Sequence, residues 1–284
     1  MDNYEKRGYL NSDFRLFHLS DTKKQDFEYH YHDFSKIIIF IRGRVTYRIE
    51  GRAYELAPYD IVLVGPGEIH KPDIDPAVPY ERIIVYLSPG FLDAYKSGQY
   101  DLSDCFQKAR REHSAVLRIQ SMEKSGLYRT ILDLEYACSH DGYAKDLYCQ
   151  VVFLEFMIKL NRAVLTGRAD YLTPQPEDER ITAIVDYIAS HLTEELTVES
   201  IAEAVYLSRY HLMRLFKQAT GCTIGNYITE KRLILARDLL QKGVPLTSAC
   251  FDCGFRNYST FSRAYKKHFG LPPSGHSAEM KQHS

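Results

Sequence analysis

Residues 201–221 read Ile201-Ala-Glu-Ala-Val-Tyr-Leu-Ser-Arg-Tyr-His-Leu-Met-Arg-Leu-Phe-Lys-Gln-Ala-Thr-Gly221. This pattern predicts two short helices joined by a tight corner, a helix-turn-helix. Ser208 can cap the second helix, and Gly221 stands where helices often end in the left-handed conformation. Apolar residues spaced three and four apart predict a buried stripe made of Leu212, Leu215, Phe216 and Ala219. The outer face is then cationic and aromatic, and it carries Tyr210, Met213, Arg214 and Lys217.

The same pattern returns at residues 249–270. In the second helix of each unit, Arg214 corresponds to Arg263 and Lys217 to Lys266, both at an offset of 49 residues. A single helix-turn-helix pattern is a weak signal, since many small helical proteins contain such a corner. Two copies in tandem, with basic residues at the same helical positions, indicate a nucleic-acid-binding domain.

The charge of the chain is divided unevenly. The 284 residues carry a formal net charge of −1, which by itself argues against a nucleic-acid binder. Residues 180–270, however, hold 12 Lys and Arg against 8 Asp and Glu, a net of +4, which leaves −5 for the rest. The cationic part therefore coincides with the two helix-turn-helix patterns, as expected for a surface that meets phosphates.

Composition places the chain among globular proteins, with 45% hydrophobic and 26% charged residues. No apolar run approaches the roughly 20 residues needed to span a bilayer, and the N-terminus lacks the apolar core of a signal peptide. We therefore expect no membrane association and a cytoplasmic location, where the six cysteines stay reduced. Cys250 and Cys253 have C-x-x-C spacing, but no second ligand pair follows, so we predict that they are core residues.

The first hundred residues have the pattern of a small β-barrel or jelly roll. Short β-branched or alternating segments are separated by Gly and Pro turns about every ten residues. The predicted strands are a segment around Phe14–Leu19, then Lys36–Ile41, Val45–Ile49, Tyr54–Leu56, Asp60–Val64 and Tyr80–Leu87.

Beyond about Asp101 the apolar period changes to that of helices. We predict helices over Gly126–Cys138, Lys145–Thr166, Ile181–Leu192 and Ile224–Gln241. The predicted fold is α+β: a β-barrel with a helical pair, followed by an all-α domain. Its expected divisions are a barrel at 1–100, a helical region at 101–166, a linker at 167–179 and a double helix-turn-helix domain at 180–284.

Both halves resemble a known family. In the first half the resemblance lies in His30-Tyr-His32, Lys36, Gly43, Gly51, Pro58-Tyr-Asp60 and Pro66-Gly-Glu-Ile-His70. In the second it lies in the two helix-turn-helix units, Gly254-Phe255 and Phe261-Ser-Arg-Ala-Tyr-Lys-Lys267. The chain is similar to the AraC family of bacterial transcription regulators, which implies a cupin-like effector-sensing barrel and a DNA-binding domain. The implied partners are double-stranded DNA, a small-molecule effector, a second copy of the chain and, as a possibility, RNA polymerase.

The outer faces of the two recognition helices have side chains suited to DNA. Arginine can bond both O6 and N7 of guanine, tyrosine and methionine can contact thymine methyls, and lysines near the helix end can meet phosphates. The DNA-contacting set, matched to the family motif, is Arg209, Tyr210, Met213, Arg214, Lys217, Tyr258, Ser259, Ser262, Arg263 and Lys266. The simpler alternative for any one of these residues is a solvated surface position.

Strand parity puts Lys36, Ile38, Phe40 and Arg42 on one face of a strand. If that face points inward, the barrel holds cations beside aromatic walls. The resemblance adds the strand with Tyr80 and Arg82, because sugar-responsive family members bind ligand there and at the Arg42 position. The predicted ligand-binding set is His30, His32, Lys36, Arg42, Tyr80 and Arg82. The alternative is that Lys36 and Arg42 pair with internal carboxylates while the histidines are structural.

His30, His32 and His70 could form a metal triad, as in cupin enzymes. The position that resembles the fourth, glutamate ligand is Lys36, and an ammonium repels a cation. We therefore predict no metal, no cofactor and no catalysis. Three hypotheses remain open: a regulator controlled by a small polar ligand (a sugar or an organic acid), a metal-dependent cupin enzyme with an accessory DNA-binding domain, and a ligand-blind regulator controlled by a protein partner.

The second predicted helix of the pair has an apolar stripe of its own, made of Leu147, Val151, Leu154, Ile158 and Leu165. In the family, such a helix pair commonly forms the dimer interface. The alternative is that both helices only cover the barrel.

Overall fold

The computed structural model describes residues 5–6, 10, 12–21, 27–88, 90–176 and 178–275. The chain divides into two compact units, with the boundary between Gln175 and Pro176. The first unit is rich in strands and the second is helical, which confirms the predicted fold class.

Twelve strands lie in the described residues up to Pro176. They are β1 (Glu5–Lys6), β2 (Phe14–Asp21), β3 (His30–Tyr31), β4 (Ser35–Arg42), β5 (Val45–Ile49), β6 (Arg52–Glu55), β7 (Ile61–Val64), β8 (His70–Ile74), β9 (Tyr80–Leu87), β10 (Val116–Ile119), β11 (Ala169–Tyr171) and β12 (Gln175–Pro176). They form two six-stranded sheets, in the orders β1-β3-β8-β5-β6-β12 and β11-β10-β7-β4-β9-β2.

Strand β4 separates two hydrophobic cores. Its alternate residues Ile38 and Phe40 pack between the two sheets, against side chains of both. Ile37 and Ile39 point the other way, against helices that cover the second sheet. All four side chains are almost completely buried, and full burial of such a side chain stabilises a fold by roughly 1.5–3 kcal/mol. The near-continuous apolar run of this strand therefore reflects burial on both faces.

The covering helices are α1 (Asp104–Arg111), α2 (Gly126–Ser139) and α3 (Lys145–Leu165). Short 3₁₀ turns lie at Asp93–Tyr95 and Met122–Lys124. The inner face of α3 buries Val152, Phe153, Phe156, Met157 and Leu160 in the core behind the second sheet. Its outer face leaves exposed the apolar side chains of Leu147, Val151, Ile158 and Leu165.

The second unit contains α4 (Glu179–Ser190), α5 (Val198–Ala204), α6 (Arg209–Thr220), α7 (Ile224–Gln241), α8 (Leu246–Asp252) and α9 (Tyr258–Phe269). The bounds of α7 are those predicted, and α4 begins two residues earlier than predicted. Across the part of the chain that the structure describes, no helix combines the length and apolar character needed to cross a bilayer.

Six of the twelve described strands were not predicted, namely β1, β3, β8, β10, β11 and β12. β10 lies in the region expected to be helical and pairs with β7 and β11, while β11 and β12 lie in the expected linker. Strands of two to four residues are too short for their alternation to be recognised in sequence. β8 runs through Pro72, which was expected to separate strands. The proline is tolerated because, at Pro72, β8 is paired on one side only, with Tyr47 of β5. On the other side, β8 pairs with β3 at His70.

Candidate nucleic-acid interface and barrel site

The first helix-turn-helix consists of α5 and α6 and is fixed by caps at both helices. Thr197 and Ser200 form a reciprocal capping box at the start of α5. The Ser208 hydroxyl accepts a hydrogen bond from the His211 N–H at 3.3 Å, and Gly221 ends α6 with φ of 76°. The predicted cap and stop of this helix are therefore confirmed.

The α6 helix has a buried face and an exposed face, as its pattern predicts. Leu212 and Phe216 are completely buried, and Leu215 and Ala219 are partly buried. The predicted DNA-facing side chains Tyr210, Met213, Arg214 and Lys217 are all exposed. Arg209 is exposed as well, but its guanidinium lies 2.6 Å from the Glu199 carboxylate on α5. That ion pair holds Arg209 at the corner of the motif.

The second helix-turn-helix consists of α8 and α9 and repeats this construction. Asn257 caps α9 by accepting a hydrogen bond from the Thr260 N–H at 3.0 Å. Phe261 and Tyr265 are completely buried. Of the predicted DNA-facing side chains, Ser262 is half-buried, and the exposed ones are Tyr258, Ser259, Arg263 and Lys266.

The turn before α9 depends on Gly254. Its φ is +92°, and a Cβ there would lie 2.8 Å from both the Leu192 carbonyl oxygen and Arg232 Nε. Those two atoms are themselves hydrogen-bonded at 2.8 Å. A larger residue would therefore break the contact that ties α7 to the end of α4. Cys250 and Cys253 are completely buried, which confirms them as core residues.

Inside the barrel unit, Lys36 and Arg82 form a pair of buried cations, which we call the barrel cation pair. Lys36 Nζ donates to the Tyr47 hydroxyl at 3.5 Å, its single hydrogen-bond partner in the described residues. Burial, reinforced by the charge of Arg82, lowers the pKa of Lys36 from 10.5 to about 7. Arg82 pairs with Asp21 at 2.5 Å and stacks on the Tyr80 ring at 4.1 Å. Its buried Nε has no hydrogen-bond partner among the residues described.

Three buried histidines lie beside this pair, and we call His30, His32 and His70 the three-histidine cluster. One ring nitrogen of each lies within 4.8 Å of those of the other two. Burial lowers the pKa of His70 well below 6.5, and the charge of Lys36 lowers it further, so the ring is neutral. The hydrogen-bonding β3–β8 register sets His30 directly opposite His70.

Comparisons with known proteins follow the same division of the chain. The family described as AraC-like ligand binding domain matches residues 16–125, and the family described as helix-turn-helix domain matches residues 201–278. The HTH-type transcriptional activator RhaS of Escherichia fergusonii is 24% identical over 249 residues, which cover 87% of this chain and 86% of that protein. The activator RhaR of Escherichia coli K12 is 25% identical over 272 residues, covering 95% and 94%.

The chain belongs to the AraC family of transcription regulators. It is thus a regulator with a ligand-binding domain and a helix-turn-helix DNA-binding domain. A solved AraC-type regulator from Chromobacterium violaceum is 34% identical, covers 36% of this chain and 91% of its own, and has a TM-score of 0.34. ToxT of Vibrio cholerae covers 94% of this chain and 98% of its own at 15% identity and a TM-score of 0.37.

One predicted ligand residue of this AraC-family chain lies elsewhere. The expectation that Arg42 shares the inner face with Lys36 is wrong, because the pairing register with β9 shifts between Phe40 and Arg42. The shift sets Arg42 opposite Glu81 instead of opposite an inward residue. The Arg42 side chain is 65% exposed and forms an ion pair with the Glu81 carboxylate. Alternation along a strand predicts which side chains face inward only while the pairing with the neighbouring strand is regular.

The remaining five predicted ligand residues are buried in the barrel unit, and the structure adds Tyr47 and Asp21 to them. Tyr47 has a sequence signal, since the alternation of β5 places it inward between Val45 and Ile49. Asp21 has none, because it reaches Arg82 only through the long-range pairing of β2 with β9.

Proposed function

We propose that this AraC-family regulator binds a small polar effector, an organic acid or a sugar, among the buried polar side chains of its barrel. The observation that carries the proposal is Lys36, an ammonium that is buried against a single tyrosine hydroxyl at 3.5 Å. Burying a charge without a full set of partners costs several kcal/mol. A chain that keeps such a group inside a domain of the ligand-binding type gains from a ligand that completes its hydrogen bonds.

The surroundings of Lys36 favour an anionic group on that effector. The second buried cation, Arg82, has one carboxylate partner, Asp21, so below pH 7, where Lys36 is protonated, the barrel cation pair holds two positive charges against one negative. Arg82 Nε offers a further buried donor without an acceptor among the described residues. A carboxylate could accept from both cations, whereas sugar hydroxyls would satisfy the hydrogen bonds without neutralising the charge. Organic acids are therefore the first effectors to try.

On the DNA side, we propose that α6 and α9 enter successive major-groove segments. Their predicted reading faces are exposed, and each carries an arginine, Arg214 or Arg263, two turns from its cap. The connecting helix α7 has 18 residues and is about 27 Å long. Such a rigid connection suits two helices that read neighbouring segments, which repeat about every 34 Å along one face of DNA.

We also propose that the protein acts as a homodimer through the outer face of α3. Leu147 and Leu165 are 61% and 72% exposed, and Val151 and Ile158 continue the apolar surface between them. Because the opposite face of α3 is already buried in the barrel unit, this stripe is free to meet a second copy. The protein would work in the cytoplasm without catalytic chemistry, and contact with RNA polymerase would follow from activation like that of its RhaS and RhaR relatives.

The effector is tested by calorimetry with a panel of organic acids and sugars on the full-length protein. Lys36→Met and Arg82→Gln should each lose binding of the active compound, while Lys124→Met, at an exposed lysine, should keep it. In the same two variants, transcription from a bound promoter should no longer respond to the active compound. A ligand changes DNA affinity only if it binds two conformational states of the regulator with different affinities, and these variants no longer bind it. Unchanged binding in both inner variants would refute the barrel as the effector site.

A further inference from the structure

The effector proposal above rests on Lys36 and Arg82 and gives the three-histidine cluster no role of its own. Its three rings lie 4.4–5.1 Å apart between centroids, and all three side chains are buried. Nε2 of His70 is a buried polar atom without a hydrogen-bond partner among the described residues, and such an atom costs stability unless something binds it.

Hydrogen bonds fix the tautomer of two of the three rings, His30 and His70. Nδ1 of His70 lies 2.8 Å from the Glu68 carbonyl oxygen, and Nδ1 of His30 lies 2.8 Å from that of Glu28. A carbonyl oxygen can only accept, so each Nδ1 carries the proton, and in a neutral ring Nε2 then bears the lone pair. Nε2 of His70 is buried and has no hydrogen-bond partner in the part of the chain that is described. Donation from the far ring nitrogen to a backbone carbonyl is the arrangement that orients metal-ligating histidines in proteins.

We propose that His30, His32 and His70 bind one divalent transition-metal ion of the zinc type, with a fourth coordination position left open. Imidazole nitrogens suit Zn²⁺ and its neighbours Co²⁺, Ni²⁺ and Cu²⁺. A tetrahedral ion with bonds of about 2.0 Å holds its ligands roughly 3.3 Å apart. One nitrogen of each ring already lies within 4.8 Å of those of the other two, so these nitrogens need to approach by no more than about 1.5 Å.

Lys36 stands at the position of the fourth ligand, where its charge disfavours a metal ion. It therefore sets the affinity of the three-histidine cluster for the metal. Lys36 Nζ lies 3.5 Å from the Tyr47 hydroxyl, and the Tyr47 ring stacks on His70 with 6.1 Å between the centroids. Below pH 7, where Lys36 is protonated, its charge repels a bound cation, so Lys36→Met should tighten metal binding at about pH 6 by at least about tenfold. The direction of this change in affinity distinguishes metal binding from the effector binding proposed above, because the same substitution should abolish binding of an anionic effector.

The test is a titration of the chelator-treated full-length protein with Co²⁺, followed by visible absorption, and then competition with Zn²⁺. We expect one equivalent of Co²⁺ to give the absorption of a histidine-bound ion of low coordination number, and Zn²⁺ to displace it. His70→Ala should lose the absorption, whereas His140→Ala, at an exposed histidine, should keep it.

The proposal is overturned by the absence of cobalt absorption at equimolar metal, or by an unchanged spectrum in His70→Ala. Lys36→Met covers the case in which His70→Ala fails to fold, because this variant keeps all three histidines. At about pH 6, tighter Co²⁺ binding in Lys36→Met supports the site, and equal or weaker binding overturns it.

Discussion

Replacing Lys36 by methionine should stabilise the protein while removing its effector response. Methionine keeps the unbranched shape of the side chain and removes its charge. The pKa of Lys36 falls from 10.5 to about 7 on folding, chiefly because the group is buried. One pH unit of such a difference corresponds to about 1.4 kcal/mol. We therefore expect the free energy of unfolding to rise by up to about 4 kcal/mol at pH 7.

The pH dependence of this gain follows from the same pKa. Between pH 7 and 10.5 the unfolded chain still holds the Lys36 proton that the folded barrel has released. Wild-type stability therefore rises with pH across this window, because the unfolded state binds more protons. Lys36→Met lacks the titrating group. Its advantage over wild type should be greatest at or below pH 7 and should vanish above pH 10.5.

Urea unfolding followed by far-ultraviolet circular dichroism, at several pH values from neutral to alkaline, measures this advantage. Other titrating groups are shared by both proteins and cancel in the difference. Lys124→Met, at an exposed lysine, should match wild type throughout. A Lys36→Met variant that is less stable than wild type at pH 7, or whose advantage does not change with pH, would refute the assignment of Lys36 as a buried, poorly paired ammonium.

The remaining predictions concern DNA and assembly. Arg214→Ala and Arg263→Ala should each weaken binding to the specific site by roughly 1–3 kcal/mol without unfolding, since both side chains are exposed; gel shifts that match wild type for both would contradict this. Lys217→Ala should lower the slope of log affinity against log salt by about one and leave base preference unchanged, as fluorescence anisotropy over a salt series can establish. Leu147→Glu should make the protein monomeric by light scattering, while Tyr100→Glu, an exposed aromatic outside the helix pair, should not; a dimeric Leu147→Glu would remove α3 as the interface.

The helix-turn-helix units could be predicted well because their signals are local. Caps such as Ser208, stops such as Gly221 and the apolar stripe of α6 all lie within one turn or one helix of the feature they specify. Their recurrence in α8 and α9 added a second, independent pattern. The short strands β10 and β11 were missed because three or four residues carry no periodicity, and β10 pairs with β7 and β11, which lie far along the chain.

The barrel site was only partly predictable for the same reason. Parity along β4 places Lys36 inward, since the ladder is regular as far as Phe40. Beyond that residue the register shift turns Arg42 outward, and the sequence of β4 does not predict the shift. The approach of His30 to His70 depends on pairing between β3 and β8, so the sequence could only suggest the triad that the fold brings together.

The most direct test of the account is a chemical footprint of the protein on DNA fragments selected from the genome of its source. Two recognition helices predict two protected major-groove segments on one face of the DNA, about one helical turn apart. Arg214→Ala should weaken protection at one segment and Arg263→Ala at the other. A single protected segment, or two variants that lose the same contacts, would contradict a regulator that reads DNA with both α6 and α9.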